Sequence, residues 1–517
     1  LVTNDGTIIR NCIIKNCSSL AIFIGSETRD NTVERCQVFN DAAIVAGADL
    51  RGINVQGVGN NNVIANRVYN LNSSTVADFI GILIIPVLLT APGSNATTVR
   101  IVNNMVSITD NNIGSGSILG IYPSSIPGTT VPYTCTAVNN SSLVSGTDAT
   151  AAAAFNAAFY SDNLEAGSVT RIFNNIALNT RSGGDSTTQN IGGYIDNDPT
   201  ITLDADYNIW SATDAATGWD GGFDGFLYNN INLHRQAACN PGTTLRELHT
   251  VFSTTFSFTS ATDLHLVASS LGGSINGSPS TDAPTDIDGD VRSATLPYRG
   301  ADELAAGLFK SFTLTVGMEG SMPGPYDIVT VGLANSTSPY ALVALATNHV
   351  NTGSTTTVMH FGGAIPNGTP YYVIAFHRNH LETWSANTVT FAGGAASYNF
   401  TTSVAQAYGS NQVMEGGIAR TYGADVNQDG TIDASDGADI DNDAFNFVSG
   451  NQILTDVTND GSTDASDAVY SDNNAFNFIG VVKPLAPNSL TADDDLRSSG
   501  KQSTTVSNNL RKVTLQN

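Results

Sequence analysis

Six short segments recur through the first 180 residues and constrain the fold more than any other feature of the chain. Each has an apolar residue, two others, Asn or Cys, and an apolar or small residue two positions on. They are 9–14 (IRNCII), 33–38 (VERCQV), 63–68 (VIANRV), 101–106 (IVNNMV), 137–142 (AVNNSS) and 172–177 (IFNNIA). The shared position falls at Cys12, Cys36, Asn66, Asn104, Asn140 and Asn175, at spacings of 24, 30, 38, 36 and 35 residues. Such spacings suit one turn of a right-handed parallel β-helix whose loops lengthen along the chain. Inward apolar side chains then stack from turn to turn, and an inward Asn at each bend satisfies backbone groups and its neighbours. The Asn column is therefore read as structural, not catalytic.

With 517 residues the chain has room for roughly two to four domains. It carries 46 Asp and Glu against 21 Lys and Arg, a net charge of −25, which argues against nucleic acid because phosphate binding needs a basic face. The most apolar run, 79–89, is about half a membrane span and contains Pro86, so it reads as a buried strand pair and no membrane span is expected. The first residue is Leu, which fits a chain that begins after processing or inside a longer precursor. Five cysteines leave at least one thiol outside any intrachain disulfide. Two helices are expected as interruptions of the stack: the Ala-rich 147–160, and 244–252, where Thr244 precedes Glu247 by three positions as in a capping box.

The segments 206–210 (DYNIW), 263–277 (DLHLVASSLGGSING) and 286–304 (DIDGDVRSATLPYRGADEL) resemble the closing coils of secreted bacterial β-helix proteins of the choice-of-anchor or pectate-lyase-like kind. That resemblance covers about 1–305 and implies a fold more than a reaction. Asp196, Asp198, Asp204, Asp206, Arg171, Arg181 and the loop 220–224 are the candidates for glycan chemistry, but their spacing does not converge two carboxylates and a base on one face. His249 and His265 read as packing or surface residues.

From 306 to 418 the texture changes to alternating runs at 312–316, 327–333, 340–345, 355–361, 371–376, 388–391 and 398–402, which suggest an immunoglobulin-like β-sandwich. Its segment 371–385 (YYVIAFHRNHLETWS) resembles a sandwich that precedes calcium modules in secreted bacterial proteins. Tyr371, Tyr372 and Trp384 are candidates for sugar stacking, with core packing the preferred reading.

Residues 419–484 hold DVNQDGTIDASD at 425–436 and DVTNDGSTDASD at 456–467, 31 residues apart. Oxygen ligands at loop positions 1, 3, 5, 7, 9 and 12, with Gly at 6, are what a seven-coordinate calcium ion needs. They are Asp425, Asn427, Asp429, the Thr431 carbonyl, Asp433 and Asp436 in the first loop, and Asp456, Thr458, Asp460, the Ser462 carbonyl, Asp464 and Asp467 in the second. Thr458 should weaken the second site. Each loop leads into a short helix ending in DNDAFNF or DNNAFNF, and the pair resembles a dockerin, with Asp at position 12 where an EF-hand carries Glu. Phe445, Phe447, Phe476 and Phe478 are expected to form its apolar centre, and calcium to fold the module more than to dock a partner. The tail 485–517 is read as a linker ending in a candidate strand at 510–515.

The sequence thus predicts a mainly β protein: a right-handed parallel β-helix (1–305), an immunoglobulin-like β-sandwich (306–418), a small helical dockerin-like module with two calcium loops (419–484) and a tail. The expected function is a secreted, calcium-stabilised structural or adhesive protein of the cell surface. It would self-associate into a fibre through the open end of the helix and the C-terminal tail. The alternative is a protein that binds or cleaves polysaccharide.

Overall fold

From Ile8 onward the backbone lays down strands in threes, and every third strand returns to the same sheet. The computed structural model describes residues 6–484 apart from 42–48, 72–77, 88–95, 111–115, 127–129, 149–154, 185–187, 240–245, 253–255, 268–274, 295–296, 304–309, 322–326, 351–354 and 362–364. The protein is mainly β and contains extended parallel sheets. Sheet I is Ile8–Arg10, Thr32–Glu34, Gly59–Ile64, Thr97–Val102, Tyr133–Val138, Val169–Phe173 and Thr202–Asp206. Sheet II runs from Ile13–Lys15 to Ile209–Ala212 and Val251–Phe252, and sheet III from Leu20–Ile24 to Gly218–Phe223, where an antiparallel strand, Phe226–Tyr228, closes it.

Register explains why the repeats take this form. Ile9, Val33, Val63, Ile101, Ala137, Ile172 and Ala205 are successive partners in sheet I and point into one continuous core. Burying each of the inner Val and Ile side chains contributes about 1.5–3 kcal/mol, and a slip of one residue would turn the whole column to solvent. Sheet III is apolar on both faces. In Phe79–Ile84 and Ile118–Pro123 every position is buried, with Ile82 and Ile121 inside the stack and Ile80, Leu83, Leu119 and Tyr122 in a second cluster outside it. A Cβ on Gly81 would stand 2.2 Å from Val106 Cγ1, so glycine lets sheet III pass close to sheet II.

Between sheets I and II each turn is two residues long. The first is left-handed: Asn11, Arg35, Ala65, Asn103, Asn139, Asn174 and Tyr207 have φ of 52–57°. Asn, which tolerates that conformation, holds four of these seven places. The second is the ladder residue. Asn104 donates its backbone N–H and its Nδ2 to Asn140 Oδ1, both at 3.0 Å, and Asn140 repeats the pattern on Asn175 at 3.0 and 2.9 Å. Asn208 extends the ladder by one more place. There Thr250 Oγ1 accepts its N–H at 3.0 Å and Glu247 Oε1 accepts its Nδ2 at 2.9 Å, ending the column.

Both expected interruptions take other forms. The described parts of 147–160 are strand: Ser141–Asp148 ends there and Phe155–Ser161 is a fully buried strand of sheet III, because Phe155, Ala157, Phe159 and Tyr160 fill clusters on its two faces. The described part of 244–252 is a turn leading into Val251–Phe252, not a helix. Glu247 has φ 54° there and is fully buried as the ladder terminus, a role incompatible with a capping box. The helix of this region is α1, Ile231–Cys239, whose Ala238 packs on the stack's core.

The described residues of 256–303 then run back along the outside of the turns. Asn174, Asn139 and Asn103 donate their Nδ2 groups to the carbonyls of Ser278, Tyr298 and Thr285, and Arg299 donates to the Asn208 and His249 carbonyls. Asp286 Oδ1 accepts the N–H groups of Asp288, Gly289 and Asp290, each at 2.9 Å. Arg292 forms a buried pair with Glu303 at 3.2 Å and reaches Asn103 Oδ1 at 2.9 Å. These contacts give the DIDGD and GADE phrases a structural role: they strap the turn column.

Beyond the strap, two sheets face each other. One is Thr356–Phe361, Lys310–Thr315 and Ala395–Asn399; the other is Leu342–Val350, Asp327–Asn335, Pro370–His377 and His380–Trp384 with Val389–Thr390 alongside. Phe312, Phe361, Phe391 and Phe400 fill the space between them. Helices α2 (Ala434–Phe445) and α3 (Ala465–Phe476) follow and pack around Val426, Ile432, Ile440 and Val457. The four phenylalanines expected at that centre are exposed instead, since the branched aliphatics already fill it. The tail, with its candidate strand at 510–515, lies outside the described residues.

Candidate metal centre

The two Asp-rich loops have matching backbones. Gln428 and Asn459 are left-handed at φ 58° and 56°, and Gly430 and Gly461 follow at 86° and 94°, which bends position 6 as a cation loop requires. The first and last acids of each loop, Asp425 with Asp436 and Asp456 with Asp467, are buried; Asn427, Asp429, Thr431, Asp433, Asp460, Ser462 and Asp464 are exposed, and Thr458 is buried. Asp433 and Asp464 cap α2 and α3, accepting the N–H of Ser435 at 2.8 Å and of Ser466 at 2.7 Å. Asp436 accepts from Val426, Asn427 and Asp433, and Asp467 from Thr458 and Asp464. Asp429 Oδ1 accepts the Thr431 N–H and hydroxyl at 2.9 and 2.6 Å; Asp460 Oδ1 accepts the Ser462 N–H at 3.0 Å.

These residues fit a hard divalent cation. The side chains at the six positions offer oxygen donors only, apart from the amide nitrogen of Asn427, and the hydrogen bonds leave carboxylate lone pairs over. Burial pushes Asp436, Asp456 and Asp467 above the ordinary carboxylate range, and a neighbouring acid adds to it in each case: Asp429, Asp467 and Asp460 respectively. Residues 421–482 hold twelve Asp and no Lys, Arg or His, and the module's two basic residues, Arg420 and Lys483, reach Glu415 and Glu382 instead. Asp429 and Asp460 carry the exposed charge at position 5, and Thr458 offers only a neutral hydroxyl at position 3.

A turn of the sandwich grips both loops. Arg378 donates to the carbonyls of Ile453 and Asp456 and to Asn459 Oδ1 at 3.0–3.3 Å, while Asn379 Nδ2 donates to the Asp456 carbonyl at 2.7 Å. The Asn379 carbonyl accepts from Ala424 N at 2.8 Å. On the other side, Asn474 Nδ2 and Gly423 N donate to the buried Glu319 at 2.7 and 2.9 Å. Helix α1 joins this junction through Gln236 Oε1, which accepts from Leu454 N at 3.3 Å. The sequence reading missed this turn. Its signal was the polar quartet HRNH at 377–380 inside an apolar run, with Asn379 and His380 almost wholly buried.

A second group of metal-ligand type lies on the strap: ligand atoms of His265, Asp288 and Asp302 are within 4.8 Å of one another. Here a cation is already present. Arg67 NH2 reaches Asp288 Oδ1 at 2.8 Å and His265 Nε2 at 3.2 Å, and Asp263 holds the other ring nitrogen. Burial alone would lower the His265 pKa, but Asp263, Asp302 and Asp288 outweigh it and raise it. Arg67 and a protonated His265 offset two of the three acids of this ion network.

The candidate glycan acids are each engaged locally. Asp196 accepts the Tyr194 hydroxyl at 3.0 Å, Asp198 caps a turn at Thr200, and Asp206 is bound to His249 Nδ1 at 2.6 Å. Arg181 is buried, and burial raises Asp224. Asp204 alone faces a groove with Arg171. Tyr371 and Trp384 are buried, so the sugar-stacking platform is not formed. Asp220 accepts the Ala212 N–H at 2.8 Å, yet burial pushes its carboxyl up to about 6. Its folded pKa lies above its unfolded one, so it stabilises the protonated fold and stability falls as pH rises between about 4 and 6. Asp220→Asn should therefore raise stability by about 1–2 kcal/mol at pH 7.5, after allowance for its partial exposure, and by almost nothing at pH 4. Urea titrations at both pH values check this; a gain equal at both would remove the carboxyl from the explanation.

Comparison with known proteins finds no family model, curated protein or solved structure that matches the chain. No helix among the described residues is long and apolar enough to cross a membrane.

Proposed function

We propose that the chain is a secreted, calcium-stabilised structural or adhesive protein of the cell surface. In this reading the stack is a right-handed parallel β-helix, the two facing sheets an immunoglobulin-like sandwich, and the helix pair a dockerin-like module with calcium in both loops. The observation that carries it is the junction, where Arg378 and Asn379 tie the backbone of the second cation loop to the sandwich. Cation loops built into such a joint stiffen a multi-part rod. Acid-rich oxygen loops of this kind suit the millimolar calcium found outside cells. Ile8–Arg10, Ile13–Lys15 and Leu20–Ile24 are the terminal strands of their sheets, with Ile8, Ile13, Leu20 and Phe23 exposed, and head-to-tail association at that edge would build a fibre.

One observation favours a second reading, glycan binding. A groove of about 320 Å³ lies between sheet I and the strap, with Arg171, Asp204 and Asp282 on its walls and Phe173 beside them. A glycan array combined with reducing-end detection separates the two. A structural protein neither retains nor cleaves the sugars and sediments as calcium-dependent oligomers. Retention that Arg171→Ala abolishes, in a protein that stays monomeric with calcium, establishes the groove as the working site instead.

A further inference from the structure

The four phenylalanines at the ends of α2 and α3 are the most exposed large apolar side chains of the module: Phe445 83%, Phe447 88%, Phe476 82% and Phe478 93%. Both helices end alike. Phe447 and Phe478 sit just past the cap with φ 54°, a place where glycine or asparagine is favoured and a bulky side chain is strained. The module's own core uses none of these rings. Two repeats thus hold two aromatic rings each in water, one of them on unfavourable backbone, an arrangement that folding does not account for. Beside Phe478 runs a groove of about 530 Å³ between the two helices, flanked by Ala434, Gly437, Ala475 and Ile479 and rimmed by Asp433 and Asp472.

We propose that the groove beside Phe478 is the docking site of the chain's own C-terminal segment, 496–517. The argument is charge and reach. The module has twelve Asp and no basic residue over 421–482, whereas 496–517 has Arg497, Lys501, Arg511 and Lys512 and no acid. The module's two basic residues, Arg420 and Lys483, reach Glu415 and Glu382 rather than Asp472 at the groove. The segment also carries Leu510, Val513 and Leu515 beside its basic pair, so one short stretch offers aliphatic cover for the Phe478 rim and a cation for Asp472. The structure's described residues end at Pro484, immediately after α3 and its turn. The 26 residues from there to Leu510 reach about 28 Å as a flexible coil and about 85 Å fully extended, while a twelve-residue helix is about 18 Å long. A tether of this length keeps the segment near the face at an effective concentration of about a millimolar, so modest contacts suffice to hold it. The inference stands apart from the fibre reading: a tail held on its own module is withheld from the open edge of a neighbouring stack.

The test uses the full chain with calcium. Hydrogen–deuterium exchange should show amides in 505–517 slowed at least about tenfold, the effect of roughly 1.4 kcal/mol of docking. Protection should disappear in Phe476→Ser/Phe478→Ser and in Arg511→Glu/Lys512→Glu, and should fall in high salt, while the melting temperature of the stack stays put. Zero-length carbodiimide coupling should join Lys501 or Lys512 to Asp439 or Asp472. In a mixture of isotopically labelled and unlabelled chains those cross-links should stay within one isotope. Unprotected amides at 505–517 overturn the proposal, as does protection indifferent to both double variants. Mixed-isotope cross-links make a second copy the occupant, and also overturn it.

Discussion

Chelation with EDTA should lower the melting temperature of the C-terminal module by more than about 10 °C, and Asp429→Ala should lower it more than Thr458→Ala. The size follows from linkage. A cation present at about a hundred times its dissociation constant adds about 2.7 kcal/mol per site, and each kcal/mol moves the melting point of a unit this small by about 4–8 °C. The order follows from the donors: Asp429 supplies an anionic oxygen at position 5 and fixes Thr431 through two hydrogen bonds, whereas Thr458 supplies a neutral hydroxyl. Without the cation, Asp436, Asp456 and Asp467 remain raised by burial, so the module loses stability as pH climbs through and above the ordinary carboxylate range. With calcium bound that slope should flatten. Because Arg378 and Asn379 hold the Asp456 carbonyl, the sandwich should lose cooperativity along with the module. Calorimetry with and without EDTA decides it: an unmoved transition, or a larger loss in Thr458→Ala, removes the cation from both loops.

What could be read from the sequence was whatever repeats. The ladder positions from Cys12 to Asn175 came from spacing alone, because each turn must satisfy the same buried backbone groups. The ladder's end did not, since Thr250 and Glu247 occur once and reach Asn208 from outside the repeat. Local propensity misled twice. The Ala-rich 147–160 suggested helix; 149–154 lie outside the described residues, and around Ala157 and Ala158 a buried strand between two aromatic clusters also selects small side chains. Phe445 and Phe476 looked like core because they end helical repeats, yet the inward places had gone to Ile440 and its aliphatic neighbours. The matching geometry of the two Asp-rich loops was legible because position and type recur together. The turn that grips them was not, since Arg378 and Asn379 act through partners some 75 or more residues away.

Asn140→Ala should be the most damaging single substitution in the stack, at about 3–5 kcal/mol. Its side chain is fully buried and works in both directions. Oδ1 accepts the Asn104 N–H and Nδ2, while Nδ2 donates to Ile101 O at 2.8 Å and to Asn175 Oδ1 at 2.9 Å. Alanine leaves two donors and two acceptors without those partners, in a turn that the strap covers through Asn139. Each unsatisfied buried group costs about 1–3 kcal/mol, and the alanine cavity adds to it. Asp in place of Asn should be no better, because it keeps an acceptor for Asn104 but offers Ile101 O no hydrogen. Cys36→Ala gives the contrast: the Cys36 backbone N–H still donates to Asn66 Oδ1, so only thiol contacts are lost and the change should stay within about 1 kcal/mol. Stacked turns exchange their stability chiefly with neighbours, so a break at Asn140 should also uncouple the turns before it from those after it. Urea unfolding followed by exchange would then resolve two transitions where the wild type has one. A loss in Asn140→Ala no larger than in Cys36→Ala would mean that the apolar columns, not the ladder, set the register.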